Sequence, residues 1–106
     1  MLTLELPVVD EYGLVRRHGQ WVAVSPQLER ALRLLLDGVG EVVSRDRLRS
    51  ALWPNGGGSG RNLDTLIYRL RDKLRPLGLT IHTIRRKGFM LEISDRHDEG
   101  ATWPTS

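Results

Sequence analysis

The chain has 106 residues, a formal charge of +3 and no cysteine. That length supports one small domain with a single modest core. The missing cysteines exclude a disulfide framework and thiolate metal sites, in keeping with a reducing cytoplasm. No apolar run approaches the roughly 18 residues of a membrane span, and no basic segment followed by an apolar one marks a signal peptide.

From Leu2 to Val24 the pattern is extended. Leu2-Thr-Leu-Glu-Leu6 alternates, Gly13 marks a turn before Leu14-Val15, and His18-Gly19-Gln20 punctuates before Trp21-Val22-Ala23-Val24. Three short antiparallel strands are predicted. Ser25 then caps a helix with Pro26 in its first turn. Leu28, Ala31, Leu32, Leu35 and Leu36 form its apolar stripe, and Gly38 and Gly40 end it. Ser44 caps a second helix with Asp46 in the first turn, where the helix dipole favours an anion. Leu48 and Leu52 face inward with Ala51 beside them, and Trp53-Pro54 stops it. Asn55-Gly-Gly-Gly-Ser-Gly60 reads as a flexible connector. A third helix runs from about Asn62 to Arg75, broken by Pro76 and Gly78, and Ile81–Ile84 with Phe89–Ile93 make a hairpin. Residues 94–106 are polar, acidic and aperiodic, the pattern of a loose tail after a domain spanning 1–93.

Charge is unevenly placed. Residues 1–24 carry −1, 25–60 carry +1, 61–91 carry +6 and 92–106 carry −3, which together make the formal +3. The +6 comes from Arg61, Arg69, Arg71, Lys73, Arg75, Arg85, Arg86 and Lys87 against Asp64 and Asp72. A localised basic patch attracts polyanions even on a nearly neutral molecule. Arginine outnumbers lysine fourteen to two, which suits bidentate recognition of phosphate and guanine but also follows from coding bias.

At about 100° per residue, the third helix puts Leu63, Leu66, Ile67, Leu70 and Leu74 on one side. Arg61, Thr65, Tyr68, Arg69 and Asp72 point the other way. Asn62 and Lys73 flank one edge of that face, and Asp64 and Arg71 flank the other. These polar groups can read base edges: arginine bonds bidentately to guanine, hydroxyls serve several bases, and a carboxylate accepts from cytosine. Asp72 has a second reading, holding the Arg69 guanidinium from i+3. Asp64 lies beside the buried stripe and reads as one half of a structural ion pair.

The segments Val42-Val-Ser-Arg-Asp-Arg-Leu48, Leu52-Trp53, Arg61 to Leu74 with its Leu-Asp…Ile-x-Arg-Leu-Arg-x-Lys-Leu pattern, and Ile81-His-Thr-Ile-Arg-Arg-Lys-Gly-Phe89 follow one another in a familiar order. Over roughly residues 2–93 the chain resembles the winged-helix effector domain of the OmpR/PhoB family of bacterial transcription regulators. The resemblance implies an α+β winged helix-turn-helix: an N-terminal antiparallel β-sheet, three helices and a C-terminal β-hairpin wing. It implies sequence-specific binding of double-stranded DNA, with helix 61–75 in the major groove and wing 81–93 at the minor groove. Thr65, Tyr68 and Arg69 match base-reading positions. Arg61 and Arg71 match positions that meet phosphates or neighbouring bases, and Asn62 and Lys73 lie at the edge of that surface. Arg45 and Trp53 match backbone-contacting positions, and Thr83 matches a wing position that bonds phosphate. Arg85 matches the wing arginine that reaches the minor groove, beside the added cations Arg86 and Lys87. Trp53 has an equal reading as a core-edge residue, Arg45 as a solvated helix start, and Tyr68 as a ring lying flat on the helix.

Two departures stand out. The family wing reads Arg-Gly-x-Gly-Tyr, whereas this one reads Arg85-Arg86-Lys87-Gly88-Phe89. The lost first glycine removes a residue tolerant of positive φ, so a differently shaped tip is expected. The connector at 55–60, where the family meets RNA polymerase, is glycine-rich spacer. The family's receiver domain does not fit within 106 residues, so the chain is read as an excised effector domain or a stand-alone regulator, a monomer or a tandem dimer on DNA.

An enzyme is not indicated. His18, His82 and His97 lack metal-ligand spacing, and the glycine run lacks the Gly-Lys-Ser/Thr ending of a phosphate loop. No cofactor is expected. The competing class is a winged helix used as a protein-interaction or regulatory module, since fold alone does not fix function. A docking face for protein should be apolar or acidic, and the exposed helix face here is polar and basic.

Overall fold

Most of the expected Leu2–Leu6 strand lies outside the described residues, and the described pairing begins at Val8. The computed structural model describes residues 5–57 and 60–94. Its first strand is β1 (Val8–Val9), followed by β2 (Leu14–Arg17) and β3 (Gln20–Ala23). Glu5 and Leu6, the described end of the expected Leu2–Leu6 strand, are not paired. Pro7 has no N–H to give a ladder, and the register is set by the turn that follows. Asp10 accepts the Tyr12 and Leu14 amides at 2.8 and 3.0 Å, which locks Val8 opposite Arg16 and Val9 opposite Val15. Between β2 and β3 the two-residue turn has positive φ at both His18 and Gly19, as the twist of a tight hairpin requires.

Helix α1 (Pro26–Asp37) starts where expected: Ser25 Oγ accepts the Leu28 amide, and Leu28, Ala31, Leu32 and Leu35 are buried. Leu36 is only partly buried. Next comes β4 (Val42–Ser44), which periodicity did not reveal because three residues carry no readable period. It exists because a later strand offers it an edge. Ser44 ends β4 and also caps α2 (Arg45–Leu52), accepting the Arg47 amide at 3.0 Å. Helix α3 runs Gly60–Leu74, beginning before the expected Asn62 and ending one residue short of Arg75. Its five buried residues are Leu63, Leu66, Ile67, Leu70 and Leu74, the stripe read from periodicity. A single 3-10 turn, Arg75–Leu77, leads into β5 (Leu79–Ile84) and β6 (Gly88–Ile93).

Two three-stranded sheets result, β1-β2-β3 and β4-β6-β5. The helices pack between them around one core, to which Val15, Val43, Phe89 and Leu91 also contribute. Arg17 is the large polar side chain in this interior, 1% exposed. Its Nε donates to the Glu5 carbonyl at 2.6 Å and its Nη1 to the Leu77 carbonyl at 2.7 Å. One arginine therefore ties the first sheet to the turn after α3. Of the expected tail, residues 95–106 lie outside the described residues; Ser94 still donates its amide to the Gly78 carbonyl at 3.0 Å.

Candidate nucleic-acid interface

Because α3 buries one full stripe, its opposite side must face solvent. Arg61, Asn62, Thr65, Tyr68, Arg69, Asp72 and Lys73 are all exposed. Tyr68 is 67% exposed. Both acids of the helix are engaged. Asp64 binds Arg45 at 2.9 Å, as the structural reading of that residue anticipated. Asp72 binds Arg75 at 3.2 Å, not Arg69, which corrects the second reading of Asp72. Arg75 lies at i+3 with the acid on its N-terminal side, the better orientation on a helix. Among the described residues no carboxylate pairs with Arg61, Arg69 or Lys73. The face thus keeps a positive field that its acids do not quench.

Arg45 is bolted in place. Besides Asp64, its Nη2 donates to the Gly60 carbonyl at 3.3 Å, and the guanidinium sits 5.4 Å from the centroid of the Phe89 ring. It joins the starts of α2 and α3 to the base of the wing through charge, hydrogen bond and cation–π contact. Phe89 itself is core, 2% exposed. Trp53 caps the C-terminus of α2, its amide donating to the Arg49 carbonyl at 2.8 Å, and its half-buried ring packs on the core. Trp53 also lines a hollow together with Arg61, Asn62, Thr65 and Arg69 and with Ser25 and Gln27 from the start of α1. No sequence pattern marks Ser25 and Gln27 as neighbours of the exposed α3 face; only the packing of α1 on α3 brings them there.

Arg71 and Thr83 face each other. Arg71 Nε donates to the Ile81 carbonyl at 2.9 Å and Nη2 to Thr83 Oγ1 at 3.0 Å. The wing tip closes tightly, the Lys87 amide donating to the Ile84 carbonyl at 2.9 Å. Arg86 takes φ 64°, a left-handed conformation that glycine adopts far more readily. The turn places an arginine under strain at the position where the family pattern has glycine. Gly88 is required by close approach, since a Cβ there would collide with the Val43 carbonyl and come within 2.9 Å of Ser44 Cα in β4. Arg85, Arg86 and Lys87 are exposed, and none has a carboxylate partner among the described residues.

Three helices with a hairpin and a short strand completing the second sheet define a winged helix, and α3 is its helix with the open basic face. Residues 19–91 match the family described as transcriptional regulatory protein, C terminal, and the chain belongs to that family, an OmpR/PhoB-type DNA-binding domain. It is 38% identical over 89 residues to the transcriptional regulatory protein CseB of Streptomyces avermitilis, covering 83% of this chain and 37% of that protein. The chain thus spans about a third of the length of the curated relatives it matches. Among solved structures, the C-terminal domain of the nisin resistance regulator NsrR, a lantibiotic response regulator, superposes with a TM-score of 0.72 at 31% identity, covering 84% of this chain and 94% of that one. The Klebsiella pneumoniae RstA DNA-binding domain, solved in complex with the RstA box, superposes with a TM-score of 0.67 at 28% identity, covering 86% and 95%. No described helix is long and apolar enough to cross a membrane, and the described residues hold no cluster of three potential metal ligands.

Proposed function

We propose that this domain reads duplex DNA as the binding part of a bacterial transcription regulator, with α3 in the major groove and the wing tip at the adjacent minor groove. The observation that carries this is the exposed face of α3, where Arg61, Arg69 and Lys73 stand without carboxylate partners among the described residues while Asp64 and Asp72 are engaged elsewhere. Thr65, Tyr68 and Arg69 read bases, and Arg61, Asn62 and Lys73 flank them. Arg85, Arg86 and Lys87 enter the negative potential of a narrow A·T-rich minor groove. Trp53 lends its indole edge, and Arg45 its remaining donors, to the phosphate backbone. The reading carries no catalytic step or cofactor, a bacterial cytoplasmic location, a monomer or a tandem pair on DNA, and RNA polymerase as a second partner.

Binding to duplex DNA across a salt series tests this. The slope of log K against log salt is expected near −0.9 for each phosphate neutralised. Affinity independent of salt, or no binding at low ionic strength, would overturn the reading.

One observation favours the protein-interaction alternative. On the outer face of the first sheet Val8, Arg16 and Trp21 lie in one cross-strand row, with Val8 and Trp21 60% and 62% exposed. That face has the apolar character that the α3 face lacks. Trp21→Ser leaving DNA binding unchanged fits both uses in one molecule.

A further inference from the structure

Arg71 differs from the other cations of α3. Arg61, Arg69 and Lys73 are exposed, whereas Arg71 is half-buried at the edge of the apolar stripe. The side of its guanidinium that carries Nε and Nη2 is spent on the wing, on the Ile81 carbonyl and the Thr83 hydroxyl. β5 is the outer strand of its sheet, so its free edge carries carbonyls with no ladder partner. Arg71 takes one of these and the hydroxyl two residues on. The Ile81 side chain is itself 2% exposed, so the strand is held from both its core face and its edge. On the far side of the wing, Arg45 fixes the start of α3 and stacks on Phe89 of β6. Helix and wing are thus braced at two separate points.

We propose that Arg71 is a positioning residue: its planar fork fixes the wing against the recognition helix and so sets the spacing at which the two elements read DNA. The proposal rests on the DNA-binding reading above and assigns Arg71 a role different from the phosphate or base contact that its place in the family pattern implies. Two parallel bonds to points two residues apart need a flat, bidentate donor. Lysine has the charge but not the fork. Charge and geometry can therefore be separated by one substitution.

The test compares wild type, Arg71→Lys, Arg71→Met and Thr83→Val by selection of bound fragments from random duplex DNA, and by affinity across a salt series. For wild type the selected motif is expected to hold a core and an A·T flank at fixed spacing. Arg71→Lys and Arg71→Met should both keep the core while the preference for A·T-flanked over G·C-flanked sites falls about fivefold or more. The salt slope should hold in both, because no phosphate contact is lost. Thr83→Val removes only the outer bond and should give a smaller loss in the same direction. It also carries the test if Arg71→Met does not fold. The proposal is overturned if Arg71→Lys matches wild type while Arg71→Met loses about 0.9 of salt slope, the signature of a phosphate contact. It is equally overturned if wild type selects a core with no flank preference. Failure of wild type to bind any duplex is a different result and overturns the DNA-binding reading itself.

Discussion

Replacing Arg86 by glycine should make the domain more stable while weakening its hold on DNA. Arg86 sits at φ 64° in the wing turn, where an L side chain costs about 1–2 kcal/mol through the clash of its Cβ with the following carbonyl. Glycine removes that clash but is freer in the unfolded chain, which takes back about 0.5–1 kcal/mol. The net gain expected is about 0–1.5 kcal/mol, centred on about 0.75 kcal/mol. In a domain of this size 1 kcal/mol moves the midpoint by about 4–8 °C, so the centre of that range raises the Tm by about 3–6 °C. Arg86 is exposed and the turn hydrogen bond from Lys87 to Ile84 is backbone to backbone, so no packing is lost. Arg86→Asn, which tolerates the same backbone region, should give a smaller rise. Calorimetry supplies the Tm, and a DNA titration across salt supplies the second readout, whose slope should shrink by no more than about 0.9. A midpoint at or below that of wild type would show that the left-handed arginine is not strained, and would refute the reasoning.

Three other outcomes are expected. Arg69→Ala should lose about 1–3 kcal/mol on the preferred site and much less on random DNA, as measured by competition binding; equal losses would make Arg69 a backbone contact. Gly88→Ala should destabilise the fold by about 3 kcal/mol in urea unfolding, because the added Cβ meets the Val43 carbonyl and β4 must move; an unchanged midpoint would mean β4 yields freely. Asp10 is held below the usual carboxyl value of 3.8, chiefly by the Leu14 amide, against an opposing effect of burial, with further help from the Tyr12 amide and Arg16. A depressed folded value stabilises fully above the unfolded value and is lost as pH falls through the folded one. The stability gap between wild type and Asp10→Ala should accordingly narrow in melts taken below about pH 4, and a gap that widens on acidification would contradict the assigned cause.

Much of the fold was legible in the sequence because its signals are local. Leu63, Leu66, Ile67, Leu70 and Leu74 recur at helical spacing, so the buried side of α3, and with it the exposed basic side, follows from order alone. Ser25 and Ser44 sit where an N-cap must be, since each hydroxyl reaches an amide three residues on in the same chain. The pairing of Asp72 with Arg75 is local too, since an acid preceding its base is the favoured arrangement on a helix. Among the described residues the first pairing is at Val8–Val9, where the turn at Asp10 fixes the register.

Tertiary structure alone decided the rest. β4 is three residues long and takes its identity from β6, residues away in sequence but adjacent in space. Arg17 looks like any strand arginine until folding sets the Leu77 carbonyl beside it. Arg71 carries the same letter and charge as Arg69, two positions along one helix. A turn of about 200° between them leaves Arg69 in solvent and aims Arg71 at the edge of the wing. Periodicity says which way a side chain leaves its helix; only the folded chain determines which groups wait within hydrogen-bonding distance when it arrives.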